Sequence, residues 1–84
     1  MSEDPEERAR SYLGTVEKTL KVAETIKNRD ALRIVEHAKR YVADSRYFLD
    51  TGKPTTALAS VAYAEGLLDS LTILDLADSS GTTS

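Results

Sequence analysis

The 84-residue sequence contains no cysteine, no tryptophan and a single histidine, His37. The absence of cysteine excludes disulfides, thiolate metal ligands and a cysteine nucleophile. A single histidine leaves no pair of imidazoles for a zinc site or for histidine-based catalysis within one chain. Carboxylates could still hold Mg²⁺ or Ca²⁺, but the acidic residues lack the spacing of an EF-hand loop. We therefore expect no cofactor and no metal, and the sequence predicts a protein that is not an enzyme.

Long hydrophobic runs are also missing. No apolar run approaches the roughly 20 residues that a membrane-spanning helix needs, so we expect no membrane contact. The first ten residues are acidic and contain no hydrophobic segment, so we expect no secretory signal and a cytoplasmic location. With 40% hydrophobic and 30% charged residues, the composition is typical of one small folded domain, which has little interior for a deep active site.

Positive charge is absent from the C-terminal part of the chain. Residues 54–84 contain four acids and no lysine or arginine, whereas residues 18–53 contain nine bases and five acids. The basic segment is compatible with phosphate contacts. However, acids interrupt it throughout, and the net charge of −3 argues against nucleic-acid binding. A solvated helix surface is the commoner explanation, with i,i+4 ion pairs such as Glu17–Lys21 and Glu36–Arg40.

The start of the first helix is marked by Asp4 and Pro5. Asp4 is a favourable cap, and Pro5 suits the first helical position. Apolar residues then recur at helical spacing, which predicts a helix over about residues 5–27. Their stripe comprises Ala9, Tyr12 or Leu13, Val16, Leu20, Ala23 and Ile26. Either Asn28 or Asp30 is suited to cap the helix that follows.

A second and a third helix follow, separated by one turn. The second is predicted over about residues 31–51 and ends at Gly52, which suits a left-handed conformation, before a proline prevents its continuation. The third is predicted over about residues 54–76. Its predicted buried side comprises Leu58, Val61, Leu68, Leu71 and Leu74. The polar residues 77–84 are predicted to form a disordered tail. No segment alternates with period two, so residues 1–76 are predicted to form one domain, an all-α three-helix up-down-up bundle with short turns.

Seven residues of the second and third helices are candidates for a partner or ligand surface. They are Tyr41, Asp44, Tyr47, Tyr63, Glu65, Gly66 and Asp69. A tyrosine near a carboxylate, such as Tyr41 near Asp44, can hold a polar ligand, although a buried tyrosine with one hydrogen bond is commoner. Glu65 and Asp69 lie one turn apart, as a carboxylate pair that binds a divalent ion or shares a proton would. At this spacing, two solvated acids that repel each other mildly are commoner.

A stripe of small residues runs along the third helix. Its members are Ala59, Ala62, Gly66 and Ser70. Inside a helix, Gly66 costs about 1 kcal/mol relative to alanine, so some other interaction should compensate. The simplest explanation is that the stripe lets another helix come close. A groove left open for a ligand or a partner helix is the functional alternative.

The segment that contains the candidate residues resembles a known family. The pattern is Tyr41-x-x-Asp44-x-x-Tyr47-Phe48-Leu49-x-x-Gly52, followed by Ala57 and by Tyr63-Ala64-Glu65-Gly66-Leu67-Leu68-Asp69. It is similar to a short archaeal family, domain of unknown function 357, and the resemblance covers about residues 5–76. It implies an archaeal, cytoplasmic, all-helical protein with no assigned activity and no catalytic residue to carry over. It also implies that Asp44, Tyr63, Gly66 and Asp69 belong to a family pattern.

The second and third helices are also similar, more loosely, to the helical hairpins of tetratricopeptide-like and microtubule-interacting-and-transport domains. Those domains bind peptides or partner helices, so the likeness favours a binding function. Our first hypothesis is a protein-interaction module that docks a protein partner or forms a homo-oligomer through these two helices. The alternative is a small-ligand or nucleotide-binding accessory protein that acts beside an enzyme, which the basic segment and the Tyr/Asp residues suggest.

Overall fold

The computed structural model describes the backbone of residues 4–83 and the side chains of residues 4–71. The described residues form three α-helices: α1, Pro5–Ala23; α2, Arg29–Asp50; and α3, Pro54–Thr83. No strand occurs in residues 4–83. α3 packs most extensively against α2, and α1 packs against both. The prediction of an all-α three-helix bundle with short turns is confirmed.

α1 ends at Ala23, several residues before its predicted end near residue 27. The backbone N–H groups of Thr25 and Ile26 donate to carbonyls three residues earlier, at 3.1 Å each, instead of four residues earlier. This tightening of the last turn is typical of a helix C-terminus. The apolar stripe continues to Ile26, which packs partly buried against the core although it lies beyond the helix. The hydrophobic spacing therefore predicted a longer helix than the one that forms.

α2 begins at Arg29, two residues before its predicted start, because Asn28 is the residue that caps it. The Asn28 side-chain oxygen accepts hydrogen bonds from the backbone N–H groups of Asp30 (2.9 Å) and Ala31 (3.1 Å). These bonds satisfy two of the N–H groups that a helix start leaves unpaired. Asp4 occupies the cap position of α1, but its side chain forms no capping hydrogen bond.

The turn between α2 and α3 has the geometry that the glycine predicts. Gly52 has a φ of 78°, in the left-handed region. Its N–H donates to the carbonyl of Leu49 (3.2 Å), and the N–H of Lys53 donates to the carbonyl of Phe48 (2.7 Å). This pair of bonds is a Schellman motif, which satisfies the last carbonyls of a helix. The turn sends α3 back along α2 and so creates a helical hairpin.

α3 runs to Thr83, beyond its predicted end near residue 76. Apart from Gly66, the sequence contains no glycine or proline between Pro54 and Gly81 that would end a helix earlier. The predicted disorder of residues 77–84 stays a prediction, because the side chains from residue 72 onward lie outside the described part of the chain. The predicted burial of Leu74 lies outside it as well.

The core consists largely of alanine, valine and leucine side chains from all three helices. Its buried members are Ala9, Leu13, Val16, Leu20, Ala23, Ala31, Val35, Ala38, Val42, Leu49, Ala57, Val61, Ala64, Leu68 and Leu71. The sequence prediction omitted Ala57 and Ala64, which are fully buried. Ser45 is also fully buried, and its hydroxyl donates to the carbonyl oxygen of Ala57 at 2.8 Å. This bond satisfies a buried polar group and fixes the register of α2 against α3.

Ion pairs connect α1 to α2. Arg46 lies 2.7 Å from Glu17, and Lys39 lies 2.7 Å from Glu24. The hydrogen bond to Glu24 raises the pKa of Lys39, and the hydrogen bond to Glu17 raises the pKa of Arg46. Because all four side chains are substantially exposed, these pairs contribute little to stability. They identify the sides of α1 and α2 that face each other.

The predicted ion pairs Glu17–Lys21 and Glu36–Arg40 are wrong. Glu17 reaches across to α2 instead, and Glu36 lies 3.5 Å from Lys39. For Glu17, an arginine on the neighbouring helix competes with the lysine one turn away, which spacing along one helix does not reveal. For Glu36, Lys39 at i+3 on the same helix takes the place of the base at i+4.

Candidate functional site

The seven candidate residues do not form one cluster. Tyr41 and Tyr63 meet where α2 and α3 pack together. Glu65 lies on the opposite side of α3, where it contacts Tyr12 of α1. Asp69 lies close enough to Tyr12 to affect its titration. The predicted surface is therefore divided between the α2–α3 contact and the α1–α3 contact.

Tyr41 and Tyr63 form an aromatic pair at the outer edge of the α2–α3 contact. Their ring centroids are 4.3 Å apart, and the rings are tilted by 47°. Tyr41 is partly buried, whereas Tyr63 remains 54% exposed despite the contact. A pair of this kind adds about 0.5–1.5 kcal/mol beyond the area it buries. The outer part of the Tyr63 ring is left open to solvent.

That Tyr41 and Asp44 together hold a polar ligand stays a prediction. Asp44 is exposed, one turn from Tyr41. Within residues 4–71, neither side chain forms a side-chain hydrogen bond, so Tyr41 is anchored by ring packing alone. Tyr47 lies further along α2, where it is 62% exposed and its ring meets Phe48 edge-on at 5.5 Å. Asp44 and Tyr47 are therefore available to solvent or to a binding partner.

The small residues of α3 face outward. Ala59, Ala62 and Gly66 are exposed, and Ser70 is partly exposed. A Cβ atom added at Gly66 would meet no other atom within 4 Å. Within residues 4–71, no helix of the same chain covers the stripe, so the close approach of another helix stays a prediction. The other two helices pack on the opposite side of α3, which presents its own buried alanines.

We use the term hairpin face for the outward side of the α2–α3 pair. It comprises Tyr41, Asp44, Ala59, Ala62, Tyr63 and Gly66. Between Pro54 and Leu71, the only charged side chains are Glu65 and Asp69. Glu65 lies on the α1 side of the helix, where it accepts a hydrogen bond from Tyr12, whereas Asp69 is exposed and, seven residues after Ala62, shares the side of α3 that carries Ala62. The part of the hairpin face that α3 contributes is therefore exposed and carries no charge before Asp69.

Tyr12 is a site residue that the sequence did not reveal. Its hydroxyl donates a hydrogen bond to Oε1 of Glu65, and this bond links α1 to α3. The bond to Glu65, partial burial, and the negative charges of Glu65 and Asp69 together raise the pKa of Tyr12 to about 12. The bonded residues are 53 positions apart in the chain. The only available signal was that Tyr12 lies at the edge of the apolar stripe of α1.

The contact with Tyr12 changes the interpretation of the Glu65–Asp69 pair. Glu65 is partly buried and serves as a hydrogen-bond acceptor, so it is not an independent solvated charge. Within the described residues, no three histidine or acidic side chains lie close enough together to hold a metal ion. The geometry therefore assigns Glu65 a role in holding α1 against α3.

A shallow depression on α2 combines basic groups with one acid. Its volume is about 230 Å³, and its lining residues are Arg33, Glu36, His37 and Arg40. These side chains share the exposed side of the helix because they recur at intervals of three and four residues. Apart from the contact of Glu36 with Lys39, no ion pair engages them within residues 4–71. The lining residues lie one to three turns before Asp44 on α2.

The sequence of this protein matches one family model. Residues 11–77 match the model of DUF357, which is described as a protein of unknown function. The family resemblance noted from the sequence is confirmed, whereas an archaeal origin stays a prediction. No curated protein matches the chain. Among the described residues, no helix has the length and hydrophobicity required to span a bilayer.

Proposed function

Because the chain belongs to DUF357, a family of unknown function, we propose from its geometry that it is a helical interaction module. It docks a protein partner or a second copy of itself through the hairpin face. One observation supports this above all: the outward side of α3 is exposed, yet from Pro54 to Ala64 it carries no charged side chain. We propose that the protein acts in the cytoplasm and is not itself an enzyme.

A surface helix of a small protein normally carries charged or polar side chains opposite its buried stripe. α3 departs from this rule, because it buries Ala57 and Ala64 on one side and exposes Ala59 and Ala62 on the other. A helix that is hydrophobic all round is typically buried, and the uncharged segment from Pro54 to Ala64 approaches this pattern. A docked partner would cover the exposed side.

Small and aromatic side chains suit such a surface energetically. Alanine and glycine lose no side-chain entropy on binding, so ordering them costs nothing beyond the backbone. Tyr63, which is 54% exposed, lies on α3 beside the small residues and can bury a large ring surface. Tyrosine is enriched at interfaces and among their energetic hot spots.

Ala62→Glu tests this proposal by placing a charge on the hairpin face. We expect the variant to fold normally, because residue 62 is exposed, and to lose the association that the wild type shows. Association is measured by sedimentation equilibrium and by capture of proteins from a native lysate. Ala43→Glu is the matched control: residue 43 is exposed on the side of α2 whose Lys39 and Arg46 pair with α1.

Two results would contradict the proposal. The first is a wild type that stays monomeric at every concentration and captures no protein. The second is an association that Ala62→Glu and Ala43→Glu weaken equally, since the binding surface would then lie elsewhere.

The alternative, a small-ligand or nucleotide-binding accessory protein, is supported by the basic depression around Arg33, His37 and Arg40. Arginine recognises phosphate groups through paired hydrogen bonds. A ligand at 100 times its dissociation constant adds about 2.7 kcal/mol to the free energy of unfolding. A rise in melting temperature with millimolar nucleotide and Mg²⁺, absent from an Arg33→Ala/Arg40→Ala variant, would support this alternative. An unchanged melting temperature would rule it out.

A further inference from the structure

We infer that the hairpin face binds a second copy of the same chain, antiparallel, across a two-fold axis at the level of Tyr41 and Tyr63. The inference rests on the proposed interaction function and names its partner. It draws on three features of the described residues: the charge order along α2, the positions of the small residues along α3, and the register between these helices.

Charge along the exposed side of α2 changes sign near its middle. Arg33, His37 and Arg40 precede this point, and Asp44 follows it. Within residues 4–71, Arg33, Arg40 and Asp44 form no ion pair, so their charges are available to a partner. Glu36 lies among the bases, but Lys39 of the same helix approaches it at 3.5 Å. Asp30 precedes these bases in the first turn, so α2 presents positive charge from Arg33 to Arg40 and negative charge at Asp44.

An antiparallel second copy complements this order. A two-fold axis that crosses α2 between residues 40 and 41 places Asp44 opposite His37 and close to Arg40 of the second copy. Symmetry repeats the contact, so each dimer contains it twice. A parallel arrangement would instead set Asp44 against Asp44 and arginine against arginine, and like charges in an interface select against such an arrangement.

The same axis brings the small residues of α3 together. The contact of Tyr41 with Tyr63 and the bond from Ser45 to Ala57 place residue 63 level with residue 41. The axis therefore crosses α3 near residues 62 and 63. Ala59 of one copy then faces Gly66 of the other, and Ala62 lies next to its own counterpart. Small side chains at these positions allow the two α3 helices to approach at the short end of the usual 8–10 Å range.

The available area is sufficient for a dimer of modest stability. Two helices side by side, each about 30 Å long and about 10 Å wide, present about 600 Å² per copy. Specific interfaces begin at about 1,200 Å² in total over both partners. The hairpin face meets this minimum, and it leaves the α1 side of the bundle uncovered.

Single-cysteine variants test the geometry, because the natural chain contains no cysteine and an introduced thiol can react only with its symmetry mate. We expect Ala62→Cys to form a disulfide-linked dimer under mild oxidation, since a disulfide requires Cα atoms within about 7 Å. Ala43→Cys, on the α1 side of α2, should remain monomeric under the same conditions. Equal cross-linking of both variants would overturn the inference.

A charge exchange tests the orientation. Asp44→Arg and Arg40→Asp should each weaken dimerisation about tenfold in sedimentation equilibrium, because each creates like-charge contacts twice per dimer. Combining them in one chain should restore the wild-type dissociation constant to within about threefold. Both side chains are exposed, and matching circular-dichroism melts would verify that the variants fold.

The outcomes separate this inference from the proposed function. A dimer that the combined variant fails to restore overturns the antiparallel arrangement. A wild type that is monomeric at millimolar concentration, together with no cross-link at residue 62, overturns the second copy as the occupant. If that monomer nevertheless captures another protein that Ala62→Glu does not, the interaction function stands with a different partner. A monomer without such capture contradicts both.

Discussion

Replacing Tyr12 by phenylalanine removes the hydroxyl that donates to Glu65 and links α1 to α3. A hydrogen bond to a charged group contributes about 1.5–3 kcal/mol. Because this pair is only partly buried, solvent screening reduces the expected loss to about 1 kcal/mol at pH 7. In a chain of this size such a loss lowers the melting temperature by about 4–8 °C. It lowers the urea midpoint by about 0.5 M.

The same bond predicts how stability changes at alkaline pH. The pKa of Tyr12 is raised to about 12 in the folded protein, whereas an unfolded tyrosine titrates near 10. The contribution of Tyr12 is therefore fully present below about pH 10 and is lost as the pH rises toward 12. The difference in pKa corresponds to at most about 2.7 kcal/mol, and the same screening reduces this value to about 1 kcal/mol. The wild type and Tyr12→Phe should thus converge in stability over this interval.

Urea unfolding followed by circular dichroism from pH 7 to pH 11.5 measures this convergence. Lysines and other tyrosines titrate in both proteins, so only the difference between them is informative. Tyr47→Phe is the matched control, because its hydroxyl is exposed and forms no hydrogen bond within residues 4–71. Glu65→Gln should lower the pKa of Tyr12 toward its ordinary value, as followed by tyrosinate absorbance. A Tyr12→Phe protein as stable as the wild type at pH 7, with every tyrosine titrating near pH 10, would refute the reasoning.

Three further predictions follow from single side chains, each measured by urea unfolding at concentrations that keep the chain monomeric. Asn28→Ala should lower the free energy of unfolding by about 1 kcal/mol, because it removes two capping hydrogen bonds. Asp4→Ala should lower it by less than about 0.5 kcal/mol, because the Asp4 side chain forms no capping hydrogen bond. Equal losses in the two variants would contradict this prediction. Gly66→Ala should stabilise the monomer by about 0.5–1 kcal/mol, because its Cβ meets open space in a helix. Gly52→Ala should destabilise the protein by about 1 kcal/mol, because its φ is 78°. If both substitutions changed stability in the same direction, one of these two geometries would be contradicted. Asp44→Ala should change stability by less than about 0.5 kcal/mol, whereas a loss of 1–3 kcal/mol would mean that Asp44 serves the fold.

Local chemistry made the helices predictable. Pro5 and the Gly52–Pro54 turn each act through their own backbone geometry, which does not depend on the rest of the chain. The inward side of α3 was harder to predict. Periodicity shows which residues share a side of a helix, and charge normally shows which side faces water. Because α3 has small uncharged residues on both sides, the sequence does not show that Ala57 is buried and Ala59 is exposed.

The contacts between helices could not be predicted from the sequence for another reason. The partner of Tyr12 is 53 residues away, and Arg46 reaches Glu17 across 29 residues. Such pairs depend on how the helices rotate and slide against one another, which the spacing within one helix does not specify. The candidate residues were therefore assigned to the correct helices but to one surface, whereas the structure places them on two.

The long separation between Tyr12 and Glu65 also has a consequence for synthesis of the chain. At about 5–20 residues per second, α1 is complete roughly 2–8 seconds before Glu65 of α3 has been made. α2 and α3 are close in sequence and can close their hairpin quickly, because a short loop costs little entropy. Until then, the apolar stripe of α1 has no intact hairpin to cover it. We expect a chain truncated after residue 53 to be cleaved readily within α1 by protease, and resistance there would show that α1 is protected before α3 exists. We expect the apolar stripe of the N-terminal helix to stay uncovered until the hairpin has formed during synthesis.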